Sequence, residues 1–257
     1  MIDLSDGDWT AFLIMIIALT LAIFLRYALL ASVFYYVFNI KNHFPKRRLS
    51  QRPVHKNQIK LEIGYSLISS FIFALFGTAI YWKVQSGDIR YPTGFGPMDF
   101  IWIIAGLILI MMIHETYYYW LHRWMHLPGI YKYVHKAHHE SLTTTAWTSF
   151  SFHPIESFLQ GLPLFILFYL IPFHAVSLIA SLIIMAITSV INHLNTEVYN
   201  HRMGNHWLGK WWIGATHHHL HHSQFRFNYG LYFTFWDHWM KTESPDFEKL
   251  LAEKLNS

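Results

Sequence analysis

Three clusters of histidine dominate the chemistry this chain can do. His122-x3-His126 sets two imidazoles four residues apart, His135-x2-His138–His139 sets three at i, i+3 and i+4, and His218-x2-His221–His222 repeats that spacing. On a helix each set shares a face. Eight imidazoles are about what two metal ions with nitrogen-rich shells and a bridging oxygen need. Imidazole suits iron, copper, zinc and nickel, so donor type alone does not choose the metal. The chain has 19 histidines and no cysteine, which excludes disulfide frameworks, thiolate zinc sites, iron–sulfur clusters and thiol nucleophiles. A single HxxxH is commonly a surface pair. Three clusters together are harder to explain that way, because crowded rings repel one another when they protonate. His193, directly after an apolar stretch, is a ninth candidate ligand. His153, His201, His206 and His217 are weaker metal candidates, and His43, His55, His174 and His238 read as interfacial or solvated.

Shared chemistry requires the clusters to reach one face of whatever carries them. Hydrophobic residues make up 53% of the 257 and charged residues 13%, where soluble domains have about 25% charged. Residues 9–38, 61–82 and 99–121 are each apolar over the roughly 20 positions needed to cross a bilayer. Arg26 interrupts the first and is expected to snorkel toward an interface. Residues 1–6 are acidic, unlike the basic start of a cleaved signal peptide, so the first span is expected to be a retained anchor. Between Glu156 and Glu197 lie 40 residues without Asp, Glu, Lys or Arg, enough for about 60 Å of helix. Pro163 and Pro172 break that length, predicting two antiparallel arms that enter the bilayer and return. A single crossing would leave the last cluster across the membrane from the other two. Lys41, Lys46, Arg47, Arg48, Arg52, Lys56 and Lys60 crowd residues 41–60, whereas the next loop carries only Lys83 and Arg90. The bias puts residues 41–60, and with them the histidine clusters, on the cytoplasmic side. The expected fold is all-α, a multi-pass helical membrane protein whose cytoplasmic, helical, histidine-rich cap holds a di-metal site. Residues 1–98 form the anchor region, 99–242 the catalytic domain and 243–257 a polar tail. The bases form no helical stripe, so nucleic acid is not an expected partner.

The three boxes resemble those of the fatty acid hydroxylase and sterol desaturase superfamily of integral membrane non-haem di-iron enzymes. Tyr118–Tyr119–Trp120–Leu121–His122–Arg123 is similar to the aromatic lead into that superfamily's first box, and Phe152–His153–Pro154–Ile155–Glu156 to the segment after its second. Asn228–Tyr229–Gly230 followed by Trp236–Asp237 resembles the ending of its sterol desaturase branch. The likeness covers roughly residues 100–242. Fatty acid 2-hydroxylase members carry a further HxxxH whose positions here are Ser189 and His193; only the second is histidine. The role of His114 is left open.

The resemblance implies two iron ions, with O2 as co-substrate, held by His122, His126, His135, His138, His139, His193, His218, His221 and His222. It implies hydroxylation or desaturation of a C–H bond of a lipid, sterol, fatty acyl or related, drawn from the bilayer. No separate catalytic acid or base is assigned. Glu140, Asn192, Asn195, Glu197 and Asp237 are candidates for orienting the rings, since ligating histidines usually donate their other N–H to such groups. No GxGxxG fingerprint for flavin or nicotinamide occurs. Electrons are therefore expected from a cytochrome b5-like or ferredoxin-like carrier with an NAD(P)H-dependent reductase, for which the basic 41–60 loop is one docking candidate. The membrane is the bacterial inner membrane or the endoplasmic reticulum, and the sequence is silent on oligomeric state. Two other classes stay open: a histidine-rich metal transporter, which would place ionisable groups near mid-span, and a zinc-dependent membrane hydrolase, for which HExxH is missing.

Overall fold

The computed structural model describes residues 9–199 and 209–255. Among these residues, four helices are long and apolar enough to cross a membrane. Helix α1 (Trp9–Tyr35) runs on as a π-turn to Ile40, followed by α2 (Lys56–Gln85) and α3 (Pro97–Met125). The third begins with proline in its first turn, and Asp99 reaches back to the Gly96 N–H at 2.7 Å. The expected hairpin is present: α6 (Pro154–Leu170) and α7 (Ala175–Asn192) are separated by a break around Pro172. Each arm opens on a histidine cap, with His153 Nδ1 accepting from Ile155 N at 3.3 Å and His174 Nδ1 from Val176 N at 3.1 Å. His153, a weaker metal candidate by sequence, thus spends its Nδ1 on α6. His174 is buried rather than solvated, and its Nε2 donates to Gly94 O at 2.8 Å. Tyr91 donates to Phe168 O at 2.7 Å, so the hairpin tip meets the 87–97 loop at the end of the bundle away from the boxes.

The long helices are apolar outward and small or polar inward. Leu13, Ile17, Leu25 and Leu29 of α1 are exposed, as are Ile101, Ile104 and Ile108 of α3. That surface is apolar enough to demand lipid. Facing the bundle, α2 buries Glu62, Ser66, Ser70, Ala74 and Thr78, every fourth residue, a small-residue stripe that lets helices approach closely. Ser69 and Ser157 hydroxyls hydrogen-bond at 2.8 Å between α2 and α6. A Cβ on Gly161 would sit 2.6 Å from the Phe76 ring, whereas one on Gly64 would meet nothing within 4 Å. Gly161→Ala is therefore expected to destabilise the chain by about 1–3 kcal/mol and Gly64→Ala to be neutral or slightly stabilising, measurable as unfolding temperatures in detergent.

At the other end the chain forms a compact layer of short helices. These are α4 (Pro128–Val134), α5 (Lys136–His139), a 3-10 turn (Ala146–Phe150), α8 (Ala215–Gln224), α9 (Phe235–Met240) and α10 (Phe247–Leu255). Tyr27 of α1 bonds Trp147 O at 2.7 Å and packs with Ala146, Val190, Leu194 and Ala215, fastening the first span to this layer. The basic loop lies here too. Leu49 N donates to Asn195 O, Glu197 N to Arg47 O, and Ser50 and Asn195 exchange two hydrogen bonds of 2.7 and 2.8 Å. The stretch expected as a polar tail carries α10, whose Phe247 stacks on His217 with ring centroids 3.6 Å apart.

Candidate metal centre

Among the described residues, nine histidines converge at this end in two groups that share no residue. His122, His126, His135, His139 and His221 form one, and His138, His193, His218 and His222 the other. Within each group the ligand nitrogens lie within 4.8 Å of one another. These are the nine positions singled out from the sequence. Their distribution differs from the expectation that each box presents one common face. His135 caps α4 with φ −118°, and the following helix is only four residues long, so the second box is split. Residues four apart stay together (His122 with His126, His135 with His139, His218 with His222), while His138 and His221 each turn to the other group. The groups abut, with the His139 and His222 rings 4.4 Å apart.

Hydrogen bonds fix which nitrogen of several rings carries the proton. His122 Nδ1 faces Tyr229 O at 2.9 Å, His138 Nδ1 faces Ser151 O at 3.1 Å, His193 Nδ1 faces Ser189 O at 2.7 Å and His221 Nδ1 faces Phe227 O at 2.8 Å. A carbonyl only accepts, so each Nδ1 donates and each neutral Nε2 presents a lone pair. Each of these four faces the Nε2 of a neighbouring ring. His138 and His193 Nε2 are 3.2 Å apart, His193 and His218 2.9 Å, His122 and His135 3.1 Å, and His139 and His221 3.1 Å. Two ligand nitrogens at about 2.0–2.1 Å from a metal and at right angles are about 2.9 Å apart. The donor set therefore fits two metal ions.

The rings are also held neutral. Burial, reinforced by neighbouring imidazoles, pushes the His126 pKa down to about 2 and that of His193 to about 3. Burial lowers His138 to about 4 against its bond to Ser151, and His135, His139, His218, His221 and His222 fall well below the usual 6.5. In the unfolded chain these histidines take up protons near 6.5, so the unfolded state binds more protons at lower pH. The histidines' contribution to the stability of metal-free protein is thus expected to be fully present above pH 6.5 and to fall as pH drops below it. NMR titration of the imidazoles of folded protein in chelator between pH 7.5 and pH 5 measures this, and rings that take up protons near pH 6.5 would contradict their burial as neutral groups.

Most groups orienting the rings are not those expected from sequence. Glu156, in the first turn of α6, faces His135 Nδ1 at 2.8 Å and is itself held by Gln160. Glu140 is exposed and lies 3.8 Å from Lys136, one helical turn away, so it touches no ring. Asn192 donates to Leu231 O, and Asn195 ties down the basic loop. Glu197 and Asp237 act one bond removed. Glu197 accepts from the Thr216 N–H and hydroxyl at the start of α8, the helix that carries the last box. Asp237 accepts from Tyr229 N and Gly230 N at 2.9 Å, while Glu115 of α3 accepts from Leu231 N and Tyr232 N at 3.0 and 2.7 Å. Two buried carboxylates thus hold four consecutive N–H groups, and the Tyr229 carbonyl between them orients His122. His114 meets the Tyr232 hydroxyl at 3.1 Å and supports the same segment. His153 and His217 belong to neither group; His238 is half-buried, 3.2 Å from Glu243. His201 and His206 lie outside the described residues.

The fatty acid hydroxylase family profile matches residues 107–242, the stretch that carries every one of these histidines. The chain belongs to the fatty acid hydroxylase family. Among relatives of this family member, a Delta(7)-sterol 5(6)-desaturase of Gibberella zeae is 32% identical over 217 residues, covering 84% of this chain and 64% of the relative. Lathosterol oxidase of Homo sapiens is 32% identical over 189 residues, 71% of this chain and 60% of that protein. A Delta(7)-sterol 5(6)-desaturase of Aspergillus fumigatus is 29% identical over 202 residues, 76% and 56% respectively. The chain spans roughly three fifths of the length of these curated relatives. No solved structure matches it.

Proposed function

We propose that this fatty acid hydroxylase family member is a membrane-bound, O2-dependent di-iron oxidoreductase that desaturates or hydroxylates a C–H bond of a lipid, with a sterol as the favoured substrate class. The observation that carries this is the pair of disjoint histidine groups with facing Nε2 atoms, set where apolar spans end. His122, His126, His135, His139 and His221 would hold one iron and His138, His193, His218 and His222 the other. Bound iron supplies the one-electron chemistry that lets O2 oxidise an unactivated C–H bond. Either outcome consumes one O2, two electrons and two protons. The chain's own part is to keep the rings unprotonated by burying them and to orient five of them, through four backbone carbonyls and Glu156, before any ion arrives. Pre-oriented ligands lower the reorganisation needed on binding. Donors at the ends of the spans, rather than near their middle, suit a lipid oxidase better than a metal transporter.

A sterol substrate is supported by the relatives' names and by the apolar helices through which a ring system reaches this layer. Electrons come from outside, from a cytochrome b5-like or ferredoxin-like carrier and its reductase. The attachment of the basic 41–52 loop beside the histidines supports a cytoplasmic site, in the inner membrane of a bacterium or in the endoplasmic reticulum.

Expression in a host lacking the activity, followed by untargeted mass spectrometry of extracted lipids, tests the reading. A product heavier by one oxygen or lighter by two hydrogens, formed only in air, is expected. A lipid change that proceeds without O2 and is supported by zinc would overturn it.

A further inference from the structure

Residues 1–106 lie outside the matched family region, yet one of them is bonded to the segment that follows the second histidine box. Glu62, nearly two turns into α2, is only 2% exposed. Its Oε1 accepts from Ser141 Oγ at 2.7 Å, Thr148 Oγ1 at 2.8 Å and Gln58 Nε2 at 2.9 Å. Gln58 Nε2 in turn donates to Thr143 O at 2.9 Å. Three donors on one buried oxygen exceed what anchoring a helix needs, and burying a carboxyl costs several kcal/mol unless its partners compensate.

Two of those donors lead to the same ring. Ser141 lies two residues after the second box, and its N–H donates to the His138 carbonyl at 3.4 Å. Thr148 lies in the 3-10 turn whose carbonyl accepts from Ser151 N at 3.1 Å, and the Ser151 carbonyl accepts from His138 Nδ1 at 3.1 Å. One route sets the backbone of His138 and the other sets the plane and tautomer of its imidazole. His138 is the second box's sole member of the four-histidine group, whereas the five-histidine group draws its other ring orienters from Tyr229, Phe227 and Glu156.

We propose that Glu62 is a positioning residue for the four-histidine site, clamping Ser141 and Thr148 so that His138 Nε2 meets His193, His218 and His222. The inference rests on the di-metal reading above and extends the working centre beyond the family region into α2. It also gives α2 a role other than anchorage: the buried stripe beginning at Glu62 carries registry from the bundle to the second box.

The test is titration of purified, metal-free full-length protein with cobalt(II), whose visible spectrum reports nitrogen coordination, beside thermal unfolding of the same metal-free samples. The parent is expected to take up two equivalents. Glu62→Ala is expected to bind one of the two roughly 10-fold more weakly, the lower end of the effect of losing a direct partner of a metal ligand, because Glu62 acts through Ser141 and Thr148, with the other unchanged. Glu62→Gln keeps an oxygen acceptor and is expected to restore most of that affinity. Ser141→Ala, a milder change that loses one donor, is expected to shift the same equivalent in the same direction by less. Equal weakening of both equivalents, tracking the unfolding temperature, would mean a merely structural role and overturn the proposal, as would no change in either. If the parent binds no cobalt, the di-metal reading itself fails and this inference falls with it, an outcome distinct from a parent that binds two.

Discussion

His138→Ala and His221→Ala each abolish lipid product, with a loss of at least about 10³-fold in turnover, while the protein still folds and inserts. The two histidines sit in different groups, and no residue belongs to both. If catalysis needs both ions, neither group can compensate for the other. A ligand change at one site is expected to leave the other site's rings in place, because their orienting bonds run to different carbonyls: Ser151 and Ser189 for the four-histidine group, Tyr229 and Phe227 for the five-histidine group. The control is His153→Ala, which removes a helix cap worth about 0.5–2 kcal/mol and no ring of either group, and so keeps product formation. Lipid mass spectrometry on matched expression levels decides between these outcomes. Product from His138→Ala would contradict a joint role for the two groups.

Asp237→Ala is expected to be the most destabilising change outside the histidines. The carboxylate accepts from Tyr229 N, Gly230 N and the Thr242 hydroxyl, the last at 2.7 Å, in a fully buried position. Removing it orphans two buried N–H groups, at about 1–3 kcal/mol each, and leaves the Thr242 hydroxyl only its bond with the Tyr119 hydroxyl at 2.8 Å. A loss of order 10 °C in unfolding temperature follows for a chain of this size. Asp237→Asn does not rescue, because one of its two acceptor oxygens becomes an NH2 that faces an N–H. The damage extends to the site: with Tyr229 released, His122 loses the carbonyl that fixes its tautomer. Unfolding measured with and without added metal separates the two effects. An unshifted midpoint in Asp237→Ala would show that the 229–232 segment does not need its carboxylates.

What the sequence made legible followed from local spacing and length. Eight of the histidines were visible because imidazoles three and four apart share a helical face, His193 because it follows the returning apolar stretch, and the hairpin because 40 uncharged residues are too long for one crossing. The split of the second and third boxes was not visible, since it depends on where α4 stops at His135. The orienting groups were mostly missed for a related reason. Main-chain carbonyls such as Ser151 and Phe227 have no sequence signature, and Glu140, next to the box, proved to point away. Glu62, Glu115 and Glu156 did carry a signal, because ionisable residues in apolar segments are costly and tend to be functional. Their partners lie 79, 116 and 21 residues away, separations that no periodicity encodes.

The central claim is that the nine histidines bind two ions, in two sites without a common ligand. It is tested most directly by counting metal per chain in protein purified from iron-supplied cells, for the parent and for His126→Ala and His222→Ala. The account predicts two irons in the parent and a stoichiometry near one in each variant. A parent that carries a single ion, or variants in which one substitution empties both sites, would contradict it.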